Sequence, residues 1–210
     1  MYTLYGRAGW GSVLIEAQLA MYGLDFTFEE VDDLFASAAA REALARINPL
    51  AQVPTLVMHD GSIMTESAAI TLVLAEITGS AVLVPGTAEQ YRPRFLRWLV
   101  FLVANVYPTF TFADDPGRFV PDEAARAGFA DAVGAYAERL WRMVEHEARG
   151  GWFLGERLSV LDLYIAAMSH WRPRRPWFAE HCPKLDAIAK RADALPELEA
   201  IWHRNFPGDL

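Results

Sequence analysis

A proline placed directly before a strand marks the first segment of the chain that could bind a ligand. Asn48 to Val57 puts Pro54 at the start of a strand-like run, and proline, which cannot donate to a ladder, belongs at an edge, a bulge or a strand start. A cis Val53–Pro54 bond would turn the backbone of Val53 outward and leave its N–H and C=O for an extended ligand. An ordinary trans strand start is the alternative interpretation, since only ~5–6% of X–Pro bonds are cis.

A second segment, Thr65-Glu66-Ser67, opens a predicted helix. The unpaired N–H groups and the positive dipole end of a helix N-terminus favour a carboxylate there, with the Ser67 hydroxyl as a further donor. Glu66 would then hold an accompanying amino group, so the pair suits an α-amino acid moiety. A plain helix cap is the alternative.

Charge and composition exclude several other classes of site. The 19 basic and 27 acidic residues give a net charge of −8, which disfavours nucleic acid and anionic membranes as partners. The single cysteine, Cys182, forms neither an internal disulfide nor a structural zinc site, and indicates a reducing compartment. The five histidines show no metal-ligand spacing, so no metal is predicted. The basic, aromatic segment Trp171–Trp177 is interpreted as a loop between helices rather than a nucleic-acid site.

The elements that must position these residues fall into two groups. Hydrophobic alternation and helical periodicity predict the order β-α-β-α-β-β-α over residues 1–80, a linker at 81–89 and an all-α unit over 90–210. The first unit is predicted as Met1–Tyr5, Ser12–Tyr22, Phe26–Val31, Ser37–Ile47, Thr55–Met64 (a hairpin) and Glu66–Thr78. The second is predicted as helices Tyr91–Val106, Pro121–Arg149, Val160–Trp171, Lys184–Ala194 and Glu197–Trp202.

Hydropathy along the chain bears on membrane insertion and secretion. No apolar run approaches the ~20 residues of a membrane span. The chain begins with strand-like alternation instead of a signal peptide. A cytoplasmic protein without a membrane partner is therefore expected.

Taken together, these motifs resemble the glutathione S-transferases along essentially the whole chain. The first unit looks like their thioredoxin-like domain, with Val53-Pro54 as the cis-proline pair, Gln52 beside it, and Glu66-Ser67 as the γ-glutamyl clamp. The resemblance implies that glutathione binds along Val53 by backbone pairing.

The helical unit carries a further motif of the same family, in the stretch from Gly155 to Leu163. Ser159 and Asp162 have the spacing of a capping box, and Leu158 and Leu163 that of a hydrophobic staple. This motif is predicted to be structural. The last stretch, from Cys182 to Leu198, also resembles the final helices of the family.

The group that would activate the glutathione thiol is left open by the sequence. Glycine stands where the family commonly has Ser or Cys, which leaves Ser12 and Tyr5 as the nearest hydroxyls. Ser12 could instead cap the first helix, in which case a backbone N–H of Trp10, Gly11 or Ser12 would serve the sulfur. Tyr5 lies on a strand, where alternation could turn it into the core.

The resemblance implies an enzyme, a homodimer in many relatives, that conjugates the glutathione thiolate to a small apolar electrophile. Tyr107, Phe110 and Phe112 would receive the electrophile, with core packing as the alternative. A glutathione-binding or scaffold module without transferase activity is the rival interpretation, and a glutathione-dependent isomerase or reductase is the third.

Overall fold

The computed structural model describes residues 1–208, which form two compact units. The first combines Met1–Val84 with the described part of Asp193–Leu210, and the second is Pro85–Ala192. Residues 209 and 210, which close the predicted unit 90–210, lie outside the described residues. Residues 81–89 remain the proposed domain boundary. The described residues from 193 onward belong by their contacts to the first unit, whereas the sequence analysis assigned them to the second.

The first unit has the predicted β-α-β-α-β-β-α order. Its elements are β1 (Tyr2–Gly6), α1 (Val13–Met21), β2 (Phe26–Glu30), α2 (Ala38–Ala45), β3 (Thr55–Val57), β4 (Ile63–Met64) and α3 (Ser67–Thr78). The strands form one sheet in the order β2-β1-β3-β4, in which β1 and β2 are parallel and the other pairs are antiparallel. This is a thioredoxin-like arrangement.

The core of the first unit lies on one face of the sheet. Side chains that alternate inward from β1 meet the apolar faces of α1 and α3, as the two-residue period of a strand and the 3.6-residue period of a helix require. The buried members of this cluster are Tyr2, Leu4, Ile15, Leu19, Leu56, Ile70 and Leu74.

The second unit is helical. It contains α4 (Arg92–Phe101), α5 (Tyr107–Asp114), α6 (Glu123–Glu147), α7 (Val160–Ser169), α8 (Arg175–His181) and most of α9 (Pro183–Asp193). A π-helical turn, Leu102–Val106, joins α4 to α5. The last two described elements of the chain, a 3₁₀ turn (Pro196–Leu198) and α10 (Glu199–Asn205), belong to the first unit.

Two helices were missed by the sequence analysis, α5 and α8. Both have a proline in their first turn, where its missing N–H is no loss and its fixed φ suits the helix. The helix predicted from Tyr91 ended at Val106, before α5, and the segment Trp171–Trp177 was predicted wholly as a loop. Its last residues begin α8.

The continuous run Arg92–Asp114 corrects the expectation that no segment approaches a membrane span. Its 23 residues are long and apolar enough to cross a membrane by length and composition alone. Within the second unit this run carries the buried side chains Phe95, Trp98 and Leu99, and the core helix of a soluble protein passes the same test of length and composition.

The predicted capping box holds the start of α7, a helix whose ten residues are all buried. The backbone N–H of Ser159 donates to Oδ2 of Asp162 at 2.7 Å, and the Ser159 hydroxyl donates to the same oxygen at 3.0 Å. The other oxygen, Oδ1, accepts the N–H of Phe153 at 2.7 Å. One buried carboxylate therefore satisfies the helix start and the loop before it.

Candidate functional site

The three segments that carry the predicted ligand residues leave the sheet at the same end. Tyr5 at the end of β1 pairs with Thr55 at the start of β3. Met64 at the end of β4 pairs with Leu56, one residue further along β3. The turn after β1, the loop before β3 and the start of α3 after β4 are therefore brought together by the strand register.

The loop before β3 is held by Asn48, a buried residue that the sequence analysis missed. Its Nδ2 donates to the C=O of Gln52 and to Oγ1 of Thr55, both at 3.0 Å, while its Oδ1 accepts the N–H of Leu50 at 3.1 Å. The hydroxyl of Thr55 also donates to the C=O of Gln52, at 2.8 Å. These bonds fix the backbone immediately before Val53. The sequence signal that could have identified it is an Asn four residues before Gln52, close enough to hydrogen-bond the backbone of the loop.

The predicted backbone-pairing residue, Val53, lies in this anchored loop. The Val53–Pro54 peptide bond is cis, and Pro54 is buried. Among residues 1–208, the N–H and C=O of Val53 have no hydrogen-bond partner. Gln52 next to it is exposed. The loop thus offers one unpaired donor and one unpaired acceptor of the main chain.

Glu66 and Ser67 occupy the start of α3 as predicted for a clamp. Glu66 has φ +63° and ψ 100°, a region that costs a residue with a side chain of order 1–3 kcal/mol. Its exposed side chain makes no cap bond to the helix, so the plain-cap interpretation fails for this residue. In the described part of the chain, the N–H groups of Ser67, Ala68 and Ala69 have no partner. The helix start therefore presents donors beside a carboxylate.

The hydroxyl of Ser12 is engaged inside the turn that precedes α1. Ser12 is fully buried, its Oγ accepts the N–H of Arg7 at 3.1 Å, and its O–H donates to the C=O of Arg7 at 3.1 Å. It makes no side-chain bond to α1, so the predicted helix cap is wrong. Because the single hydrogen of this hydroxyl is donated to Arg7, it is not donated to a sulfur, which disfavours Ser12 as the activating group.

Backbone N–H groups at the start of α1 are the alternative donors. The N–H of Trp10 is taken by the C=O of Arg7 at 3.0 Å, and that of Gly9 by the side chain of Asn205 at 2.9 Å. Within residues 1–208, the N–H groups of Gly11 and Ser12 have no partner. Of the three backbone donors that the sequence left open, two therefore stay available.

Tyr5 lies on the face of β1 opposite to Tyr2 and Leu4, and it is half-buried. The expectation that alternation could turn it into the core is wrong, because the core side of β1 carries the even-numbered residues. Its role stays a prediction.

The side chain of Trp10 faces the loop after β2. Its ring lies 5.0 Å from that of Phe35, and the guanidinium of Arg7 lies 5.7 Å from the Trp10 ring. Arg7 also pairs with Asp32 at 3.5 Å. Arg41 is committed to the same loop, because it donates to the C=O groups at positions 34 and 35.

The three predicted electrophile residues, all in α5 of the second unit, separate into two aromatic clusters. Tyr107 and Phe110 pack edge to face at 6.0 Å, and each also contacts the ring of Trp171. Phe112 packs instead on Phe119, at 4.9 Å. Burial raises the pKa of the Tyr107 hydroxyl well above its usual range. The structure brings the first two together and directs the third elsewhere.

Within residues 1–208, the structure holds no group of three or more His, Cys, Asp or Glu side chains that could hold a metal ion. Burial raises the pKa of the Cys182 thiol to about 12. This cysteine therefore stays protonated and unreactive at neutral pH.

The fold defines a two-unit protein, in which a thioredoxin-like unit is followed by a helical unit. At one end of its sheet lie backbone groups that have no partner in the described part of the chain. Residues 15–77 match the family model described as the N-terminal domain of glutathione S-transferase. The chain is 38% identical, over 98% of both chains, to the uncharacterized GST-like protein YncG of Escherichia coli strain K12. It belongs to the glutathione S-transferase family.

Solved structures agree with this fold. A glutathione transferase homolog from Sulfitobacter with bound glutathione is 24% identical over 96% of both chains, with a TM-score of 0.85. A sphingomonad glutathione S-transferase complexed with glutathione is 26% identical, with a TM-score of 0.75, and the match covers 95% of this chain and 96% of that one.

Proposed function

We propose that the protein is a cytoplasmic glutathione transferase that conjugates the glutathione thiolate to a small apolar electrophile. The observation that carries the proposal is a set of backbone groups at one end of the sheet that have no hydrogen-bond partner within residues 1–208, at Val53, at Gly11 and Ser12, and at the start of α3. Relatives with 24% and 26% identity were solved with glutathione bound. A homodimer, common in the family, is part of the proposal.

Glutathione would bind as an added strand segment, its main chain pairing with the N–H and C=O of Val53. Its γ-glutamyl carboxylate would take the free N–H groups at the start of α3 together with the Ser67 hydroxyl. Its ammonium would face the exposed carboxylate of Glu66. The strand register supports this division, because Met64, three residues before Ser67, pairs with Leu56, two residues after Pro54.

The thiol would be activated by the backbone at the start of α1 rather than by a side chain. A free thiol has a pKa of about 8.5, and a shift of about two units requires about 2.7 kcal/mol. Two N–H groups, of Gly11 and Ser12, aided by the positive end of the helix dipole, can supply that amount to a thiolate. No proton acceptor is needed beyond solvent, and the thiolate then attacks the electrophile as the nucleophile.

Tyr107 and Phe110 are the residues that we propose for the electrophile, since their ring edges form one apolar cluster with Trp171. For Phe112 we propose a packing role against Phe119. Substitution of Phe110 by Leu should raise the KM for an aryl halide more than the same change at Phe112, with the KM for glutathione unchanged in both variants.

The rival function, a glutathione-binding module without turnover, is favoured by one observation: the single hydrogen of the Ser12 hydroxyl is donated to the C=O of Arg7. Titration of glutathione by calorimetry, followed by a conjugation assay with a generic aryl chloride, separates the two. Binding with turnover supports the transferase, and binding without turnover supports the module. Absence of glutathione binding at millimolar concentration would overturn both.

A further inference from the structure

The last described helix contacts the turn that precedes α1 through one side chain. Asn205, at the end of α10, is 4% exposed. Its Oδ1 accepts the N–H of Gly9 at 2.9 Å, while its Nδ2 donates to Oε2 of Glu16 at 3.2 Å and to the C=O of Ile201 at 2.9 Å. Asn205 therefore joins the turn, α1 and its own helix.

Glu16 explains why α10 must dock at this place. Its side chain is fully buried in α1 and forms an ion pair with Arg204, whose guanidinium lies 4.3 Å from the ring centre of Phe28. Burial raises the pKa of Glu16, while its contacts with Arg204 and Asn205 oppose that rise. A buried carboxylate is tolerated when it is paired and hydrogen-bonded, and both partners here come from α10.

The approach of α10 to the turn is close. Gly9 has φ +76°, which favours glycine, and a Cβ at this position would lie 3.2 Å from the carbonyl oxygen of Asn205. The pair of hydrogen bonds between Ser12 and Arg7 also holds the turn. The turn is thus held from inside by Ser12 and from α10 by Asn205.

We propose that Asn205 is a positioning residue for thiol activation, because it fixes Gly9 and thereby holds the N–H groups of Gly11 and Ser12 in the orientation that stabilises a thiolate. This inference rests on the proposed function. Asn205 does not touch the sulfur, since its Oδ1 and Nδ2 are committed to the protein. Among the charged groups around the turn, Arg7 pairs with Asp32, and Glu16 pairs with Arg204.

The test is the pKa of the glutathione thiol bound to the full chain, followed by its ultraviolet absorbance across pH. In Asn205→Ala we expect this pKa to rise by about one unit, so that the thiolate fraction below the pKa falls about tenfold. Affinity for S-methylglutathione, which has no thiol to ionise, should stay within about twofold of the original protein. Asn105→Ala is the matched control, since that amide donates to the C=O of Phe101 in the second unit, and should leave the thiol pKa unchanged.

A double variant that exchanges the donor and acceptor roles of Glu16 and Asn205 tests whether the thiol pKa can be restored. In Glu16→Gln/Asn205→Asp the acceptor for Gly9 is retained and the donor between the two side chains moves to residue 16, while the bond to the C=O of Ile201 is lost, so the thiol pKa should return part of the way to the original value. If Asn205→Ala does not fold, Asn205→Ser, whose side chain is too short to span Gly9 and Glu16, takes its place with the same expected rise.

The two possible failures are distinguishable. If the original protein binds glutathione with the thiol pKa of the free tripeptide, the proposed function fails. If the original protein lowers that pKa and Asn205→Ala or Asn205→Ser lowers it equally, the role of Asn205 is overturned and the proposed function stands. Loss of S-methylglutathione affinity in parallel with the thiol shift would also overturn it, because it would indicate general damage to the site.

Discussion

The Oγ of Ser12 lies 3.1 Å from both the N–H and the C=O of Arg7, so that one hydroxyl closes the turn between β1 and α1 from the inside. Gly6 makes room for it, since a Cβ at position 6 would come within 2.4 Å of the Ser12 side chain. A hydroxyl in this position acts on the backbone of the turn. Any stabilisation of a bound thiolate is then left to main-chain donors.

Substitution of Ser12 by Ala should therefore act on the thiol only through the turn. Loss of both bonds leaves the N–H of Arg7 unpaired and should lower the free energy of unfolding by about 1–3 kcal/mol. Because the same bonds hold the turn that carries the N–H groups of Gly11 and Ser12, the thiol pKa of bound glutathione should rise together with this loss of stability. Tyr5→Phe, measured beside it, should leave the pH–rate profile in place. A thiol pKa that rises in Ser12→Ala at unchanged stability would identify Ser12 as the activating group.

Glu66→Gln should weaken glutathione binding by about tenfold, or about 1.4 kcal/mol, because a carboxylate facing an ammonium is lost. Ser67→Ala should have a smaller effect, about 1 kcal/mol for one hydrogen bond. Glu76→Gln, an exposed change in the same helix, is the matched control and should bind normally. Calorimetry that gives equal affinity in all three variants would move the ligand elsewhere.

The backbone conformation of Glu66 predicts that one substitution, Glu66→Gly, raises stability while it weakens glutathione binding. With φ at +63°, Glu66→Gly removes a strained side chain and should raise the free energy of unfolding by about 1 kcal/mol. Glutathione affinity should fall in the same variant. Denaturant unfolding and calorimetry on one sample check both, and a loss of stability would show that the Glu66 side chain supports the fold.

Asn48→Ala should damage the loop that presents Val53. Three hydrogen bonds to this buried amide disappear, and the C=O of Gln52 keeps its bond to Thr55 alone. We expect a loss of about 1–3 kcal/mol in stability and a rise in the glutathione Kd of about tenfold in the folded fraction. Asn105→Ala serves again as control. An unaltered Kd would show that the loop does not take part in binding.

The carboxylate of Asp162 predicts a pH dependence of stability. Burial raises its pKa from 3.8 to about 6, against the hydrogen bonds from Phe153 and Ser159. Because the folded state binds this proton more tightly than the unfolded chain, its contribution is full below about pH 4 and is lost as the pH rises through about 6. In that window the free energy of unfolding should fall by up to about 1.4 kcal/mol per pH unit. Asp162→Asn should flatten this slope, and an unchanged slope would contradict the raised pKa.

The sequence by itself determined the elements of the first unit and the family. Strand alternation and helical periodicity are local, so the β-α-β-α-β-β-α order and the division into an α/β unit and a helical unit could be predicted from neighbouring residues. The capping box at Ser159 and Asp162 was equally local, because its two members are three positions apart. The helices α5 and α8, each with a proline in its first turn, were not predicted, since a proline that follows one helix and a proline that begins another look alike in sequence.

The tertiary structure decided what each polar group near the sheet end does. Ser12 looked like a helix cap or a thiol donor, and its use by Arg7 depends on how the turn folds back on itself. Asn205 lies 196 positions from Gly9 and 189 from Glu16. No periodicity or spacing links residues so far apart, because a hydrogen bond between them exists only after the chain has packed α10 against the start of α1.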